Sequence, residues 1–108
     1  MKFNVFITSK AEEDLLEIYK YVYLNDSPGS ADNLYKKLMD LISKLETLPE
    51  RGHVLPELSV VKNLDYLEVH FKPYRIIYHI KKNVVFIIAV FDGRRQMQKL
   101  LEDRLLKN

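Results

Sequence analysis

The chain opens with KFNVFIT, where apolar and polar positions alternate weakly, and Phe3 to Thr8 is read as a strand. The period then changes. Ala11, Leu15, Ile18 and Val22 recur at spacings of 4, 3 and 4, which places them on one face of a helix running roughly from Lys10 to Leu24. Ser9 with Glu12 three positions later forms a capping-box pattern at its start. NDSPGS ends this helix, with Asn25, Pro28 and Gly29 supplying a turn and Ser27 or Ser30 able to cap a second helix. In that second helix Ala31, Leu34, Leu38, Leu41, Ile42, Leu45 and Leu48 make a broad apolar stripe that ends at Pro49. So short a link predicts an antiparallel helical hairpin.

PERGHVLPELSVVKN, residues 49–63, has two prolines, one glycine and no sustained period, and reads as an irregular connection. Tyr66 to Phe71, Tyr74 to Ile80 and Val84 to Phe91 come next as three strands of an antiparallel meander, separated by Lys72-Pro73 and Lys81-Lys82-Asn83. VVFIIAVF is apolar on both faces, so the last strand is expected to be the most buried and central. Asp92 is expected to cap a final helix with Met97, Leu100, Leu101 and Leu105 along one side. The order is β-α-α-β-β-β-α: an α+β fold, a helical hairpin packed on a twisted antiparallel β-sheet.

Length changes this picture only by bounding it: 108 residues make one modest core, and residues 1–108 are read as a single domain. With 47% hydrophobic and 30% charged residues, compositional disorder is excluded over most of the chain. The absence of cysteine removes disulfides, thiolate zinc sites and a cysteine nucleophile together. No apolar run approaches the roughly 20 residues of a membrane span, so a cytoplasmic protein is expected. Net charge is +2, but residues 1–50 hold 6 Lys/Arg against 9 Asp/Glu and residues 51–108 hold 11 against 6. The basic character therefore lies in the second half, where an anionic partner and a plain solvated face are both open readings.

Period-two geometry sorts the meander by face. Tyr74, Ile76, Tyr78 and Ile80 share one side, expected beneath the helical hairpin and joined there by Leu67, Val69 and Phe71. Arg75, Ile77 and His79 share the other with Glu68 and His70. That second side is expected to be open, a basic floor with histidines, while Lys72, Lys81, Lys82, Arg94 and Arg95 add positive charge at the rims. Arg75 either contacts a target or braces Glu68 across the sheet. His53 reads as a surface histidine. His70 and His79 without a carboxylate cage make a poor metal site, so no metal and no cofactor are expected. Tyr74 and Tyr78 are read as core; Tyr19, Tyr21, Tyr23 and Tyr35 either finish the core or serve a partner.

Four fragments, ITSKAEEDLLEIYKYV, LETLPERGHVLPEL, PYRIIYHI and VFDGRRQMQKLLEDRLL, stand in the right order along nearly the whole chain. Together they resemble the ParE/RelE superfamily of type II toxin–antitoxin toxins, the ParE branch most of all. The resemblance implies a RelE-like fold, a toxin neutralised by a cognate antitoxin, and a role in plasmid stabilisation. It also implies one of two targets: DNA gyrase, trapped on cleaved DNA by ParE-like members, or messenger RNA, cut on the ribosome by RelE-like ones.

For RNA cleavage, Glu68, His70 or His79 would move protons and Arg75 would hold the phosphate. RelE-like members tend to keep a Tyr or His near the C-terminus, whereas this chain ends EDRLLKN with neither after Phe91. Gyrase poisoning needs no acid–base set and matches the closing GRRQMQKLLEDRLL better; Lys72, Arg75, Arg94 and Arg95 are then the candidate target-binding residues. One departure is Gln96, where the ParE branch commonly carries an acid. The expected function is thus a ParE-like gyrase inhibitor, with a ribosome-dependent endoribonuclease or a degenerate, non-toxic member as the alternatives.

Overall fold

The fold is described from a computed structural model covering residues 2–58 and 65–106. Strand β1 (Asn4–Ile7) leads into helices α1 (Ser9–Asn25) and α2 (Pro28–Ser43), which pack as a hairpin. The cap of α1 lies one residue earlier than the sequence pattern suggests. Thr8, still extended as it leaves β1, accepts the Ala11 N–H through its hydroxyl at 3.2 Å, so Ser9 is already helical. For α2, Ser27 is the cap, its hydroxyl accepting the Ser30 N–H at 3.0 Å, and Pro28 occupies the first turn, where no amide partner is needed. Tyr19 ties the two helices by donating to Asp32.

Within the segment read as irregular lies a short strand, β2 (His53–Val54), followed by a 3-10 turn at Pro56–Leu58; residues 59–63 of that connection lie outside the described residues. Two residues at an edge carry no period to detect. Strands β3 (Tyr66–Phe71), β4 (Tyr74–Lys81) and β5 (Val84–Asp92) form the expected antiparallel meander. The sheet order is β1-β5-β4-β3-β2, with β1 parallel to β5, so the sheet is mixed and β5 is interior while β4 is its middle strand. Asp92 ends β5 instead of capping a helix. Helix α3 (Met97–Leu101) begins after Gln96 without a side-chain cap, and a π-helical turn continues it over Glu102–Leu106.

Two apolar clusters flank the sheet. The larger joins Ala11, Leu15, Leu38, Ile42 and Leu45 of the hairpin side to Val69, Ile76, Tyr78, Val85, Ile87 and Val90, with Leu67, Phe71, Tyr74 and Ile80 at its margin, which is the face assignment expected from alternation. Tyr78 is buried and fastens the loop above it: its hydroxyl donates to the Pro49 carbonyl at 2.7 Å and accepts from the Gly52 N–H at 3.0 Å. Gly52 permits that approach, since a Cβ there would stand 2.5 Å from the tyrosine oxygen and 2.6 Å from the Glu68 carbonyl.

The second cluster corrects the expectation of an open face. Leu55, Leu58, Met97 and Leu101 cover Ile77, Ala89 and Phe91 on the side away from the hairpin. Ile77, which shares its face of β4 with Arg75 and His79, needs an apolar cover, and the Leu55–Leu58 turn and α3 provide it.

Strand β5 also carries a bulge. Ile77 faces Ala89 while Tyr78 faces Ile87, leaving Ile88 as an extra residue. On the other edge β1 has ended, its last ladder bond passing from the Thr8 N–H to the Ile87 carbonyl. Two side chains supply what the missing strand does not. Asp14 accepts the Val90 N–H at 3.0 Å, and Arg104 donates to the Ile88 carbonyl at 3.0 Å while forming a paired contact with Asp14 at 2.8 and 3.0 Å. Arg104 also lies over the Phe91 ring, 4.9 Å from its centroid.

Candidate functional site

Register brings the candidate residues of β3 and β4 together. His70 faces Arg75, Glu68 faces Ile77 and Tyr66 faces His79, so Glu68 and Arg75 are diagonal neighbours on one surface. Arg75 is not displayed there as a free cation. Its Nε and Nη2 donate to the two oxygens of Glu68 at 2.5 and 2.9 Å, and its Nη1 and Nη2 donate to Glu57 at 2.7 Å each. The arginine side chain is 12% exposed and that of Glu68 1%.

This clamp sets the electrostatics. Hydrogen bonds to Glu57 first, and then to Glu68, raise the Arg75 guanidinium above its already high range, against the opposing effect of burial. The same bonds lower Glu57 below its ordinary carboxyl value. The expected basic floor is therefore a largely covered cluster in which two carboxylates outweigh the arginine. Of the two readings open for Arg75, the brace to Glu68 is the one present. Glu57 is a partner that counting along the strands misses, because it reaches the site only where Leu55 and Leu58 seat the intervening turn on the sheet; their i, i+3 spacing was the available signal.

His79 lies apart from the clamp. Its ring sits between Tyr66 at 5.5 Å and Phe86 at 5.2 Å, and Phe86 continues to the exposed Phe6 at 5.9 Å, a row of rings across four strands. Burial, helped by Lys81, lowers the His79 imidazole below its usual value. His70 stays with the clamp, its Nε2 2.8 Å from Glu68 Oε1. His53 joins it from β2, directly opposite Glu68, with its ring 4.9 Å from that of His70.

Lys72, Arg94 and Arg95 share the other end of the sheet and are exposed. The Gly93 N–H donates to the Pro73 carbonyl at 2.7 Å, which joins the β3–β4 turn to the segment bearing both arginines. Arg94 turns back on Asp92, with Nη2 2.6 Å from Oδ2, and this bond lowers the Asp92 carboxyl. Arg95 lines a groove of about 280 Å³ with Asp14, Glu17, Tyr21, Tyr74 and Asp92. Three of the four candidate target-binding residues are thus brought together and exposed, whereas Arg75 is largely covered and held by two carboxylates.

Comparison with known families decides the wider identity. Residues 5–97 match the model described as ParE toxin of type II toxin–antitoxin system, parDE. The chain belongs to the ParE toxin family. Among solved structures, this ParE-family chain is similar to one of the chromosomal ParDE system of P. aeruginosa, at 17% identity over 84% of this chain and 96% of that one, with a TM-score of 0.70. The E. coli toxin RelE, as an arginine double mutant in the free state, matches at 14% identity over 99% and 98%, with a TM-score of 0.65. A chain of the RelBE2 toxin–antitoxin complex from M. tuberculosis matches at 19% identity over 85% and 92%, with a TM-score of 0.62. Curated protein sequences give no match. The three structures establish the α+β, RelE-like fold, and the family assignment makes the chain a type II toxin–antitoxin toxin. Among the described residues no helix is long and apolar enough to cross a membrane.

Proposed function

We propose that this toxin acts in the cytoplasm by binding DNA gyrase and arresting it on cleaved DNA, and that a cognate antitoxin neutralises it. The observation that carries this reading is the double carboxylate clamp on Arg75. A nuclease needs a cation free to meet developing phosphate charge and a base within reach of the attacking hydroxyl. Here the arginine beside Glu68 and His70 has two carboxylates as partners, and His79 is packed among rings away from it. Protein–protein inhibition asks for neither group. It asks for an exposed, chemically mixed surface, which Lys72, Arg94, Arg95 and the Tyr21–Tyr74 groove supply.

The antitoxin part of the proposal draws on the helical hairpin, where Leu16, Tyr21, Tyr23, Leu24 and Tyr35 are exposed. The ParDE and RelBE2 structures are of toxin–antitoxin systems, which supports the same arrangement here. The test is expression of the chain without an antitoxin. Chromosome breakage and loss of supercoiling with intact transcripts are expected. Cut transcripts on an intact chromosome would reject gyrase as the target in favour of the ribosome-dependent endoribonuclease, and absence of both effects would mark a non-toxic member.

A further inference from the structure

We propose that His53, Glu68 and His70 form a three-ligand site for a divalent cation of the zinc type, which clips β2 onto β3. His53 and Glu68 are directly opposite in the β2–β3 ladder, and His70 is two residues beyond Glu68 on the same face, so three ligand side chains project from adjacent strands in one direction. One ligand atom from each lies within 4.8 Å of the others. The individual approaches are 2.8 Å from His70 Nε2 to Glu68 Oε1 and 3.7 Å from His53 Nε2 to Glu68 Oε2. Tetrahedral bonds to zinc of about 2.0–2.1 Å set ligand atoms roughly 3.4 Å apart, a value that lies between the two separations present, so His70 draws back and His53 moves in by a few tenths of an ångström. The imidazole of His53, 60% exposed, has room for the small rotation that completes the set.

The carboxylate is prepared for this role. Arg75 donates one hydrogen bond to each Glu68 oxygen and so fixes the plane of the carboxylate, while His70 approaches Oε1 and His53 approaches Oε2. Such an outer partner fixes the orientation of a metal ligand. The charge balance is also favourable: Glu57 and Glu68 against Arg75 leave one net negative charge beside the cation. Two imidazoles and one carboxylate select a borderline cation over calcium or magnesium, which want oxygen ligands, and water takes the fourth position. No metal is expected from the sequence alone, because only β2 places His53 beside Glu68 and His70.

The test uses the full-length, untagged chain and Zn²⁺ alone. Titration calorimetry is expected to give one Zn²⁺ per chain, with His53→Gln and His70→Gln each weakening binding about 100-fold or more. His79→Gln, on the same sheet but outside the cluster, leaves it unchanged. The melting temperature of the unaltered chain rises with Zn²⁺, and that of His70→Gln does not. No binding, or binding that survives both substitutions, overturns the site. Should either variant fail to fold, Co²⁺ added to the unaltered chain decides: the intense visible absorption of a four-coordinate ion supports the site, and a weak six-coordinate spectrum or none overturns it.

Discussion

Arg75 shows how a residue's neighbours decide its chemistry. In isolation it is a cation on a strand; between Glu57 and Glu68 it is half of a buried polar network whose members depend on one another. Removing one partner leaves the other uncompensated in a place water barely reaches. Arg75→Ala is therefore expected to destabilise the fold by about 3–5 kcal/mol, measured by urea denaturation. Arg75→Met combined with Glu68→Leu should be markedly less damaging than Arg75→Met alone, because the buried charge leaves with its partner. Additive losses in that double-mutant cycle would contradict the coupling.

His79 makes a second residue-scale prediction. Its folded value lies below the ordinary 6.5 because burial disfavours the imidazolium. The unfolded chain then binds the proton more readily, so this contribution to stability is complete above pH 6.5 and is lost as pH falls through the lower folded value. His79→Phe keeps the stack with Tyr66 and Phe86 and should remove that part of the pH dependence. Denaturation midpoints followed from about pH 7.5 down to about pH 5 check it; equal slopes for both proteins would contradict the assignment.

Among the elements, β5 carries the largest structural demand. A bulge at Ile88 and the early end of β1 leave its backbone short of partners, and Asp14 of α1 with Arg104 of the closing helical turn meet that demand from two distant parts of the chain. Arg104→Ala should cost about 1–3 kcal/mol by leaving the carbonyl and carboxylate unmatched. The same change should raise amide exchange at Val90 above that at Ile76, which the ladder alone protects. Unchanged exchange at Val90 would show that the bulge is held without Arg104.

These element-scale details also separate what was legible in the sequence from what was not. Period alone placed α1, α2 and β3 to β5 because each has enough residues to repeat a pattern, and it sorted Tyr74, Ile76, Tyr78 and Ile80 onto the correct face. It could not reveal β2, which is two residues long, nor the parallel pairing of β1 with β5, which depends on where the helical hairpin returns the chain. The site was legible by halves. Glu68, His70 and Arg75 shared a face by counting, while His53 reached it from the two-residue β2 and Glu57 from the turn after it, and Glu57 with Glu68 outweighs the one positive charge expected to be open there.

At the scale of the molecule, two apolar layers close over a mixed sheet and leave the target-facing candidates at one end. Lys72, Arg94 and Arg95 are exposed there, where the Gly93–Pro73 backbone bond joins the β3–β4 turn to the segment after β5. This distribution suits a toxin that grips a protein surface, with positive charge guiding the encounter and the groove beside Tyr21 and Tyr74 giving it shape. The most direct test is a supercoiling reaction with purified gyrase, relaxed plasmid, ATP and the purified chain. With gyrase as the target, supercoiling stops and gyrase-bound cleaved DNA accumulates as the chain is added. Gyrase that works undisturbed, while the same preparation cuts messenger RNA on translating ribosomes, would contradict it.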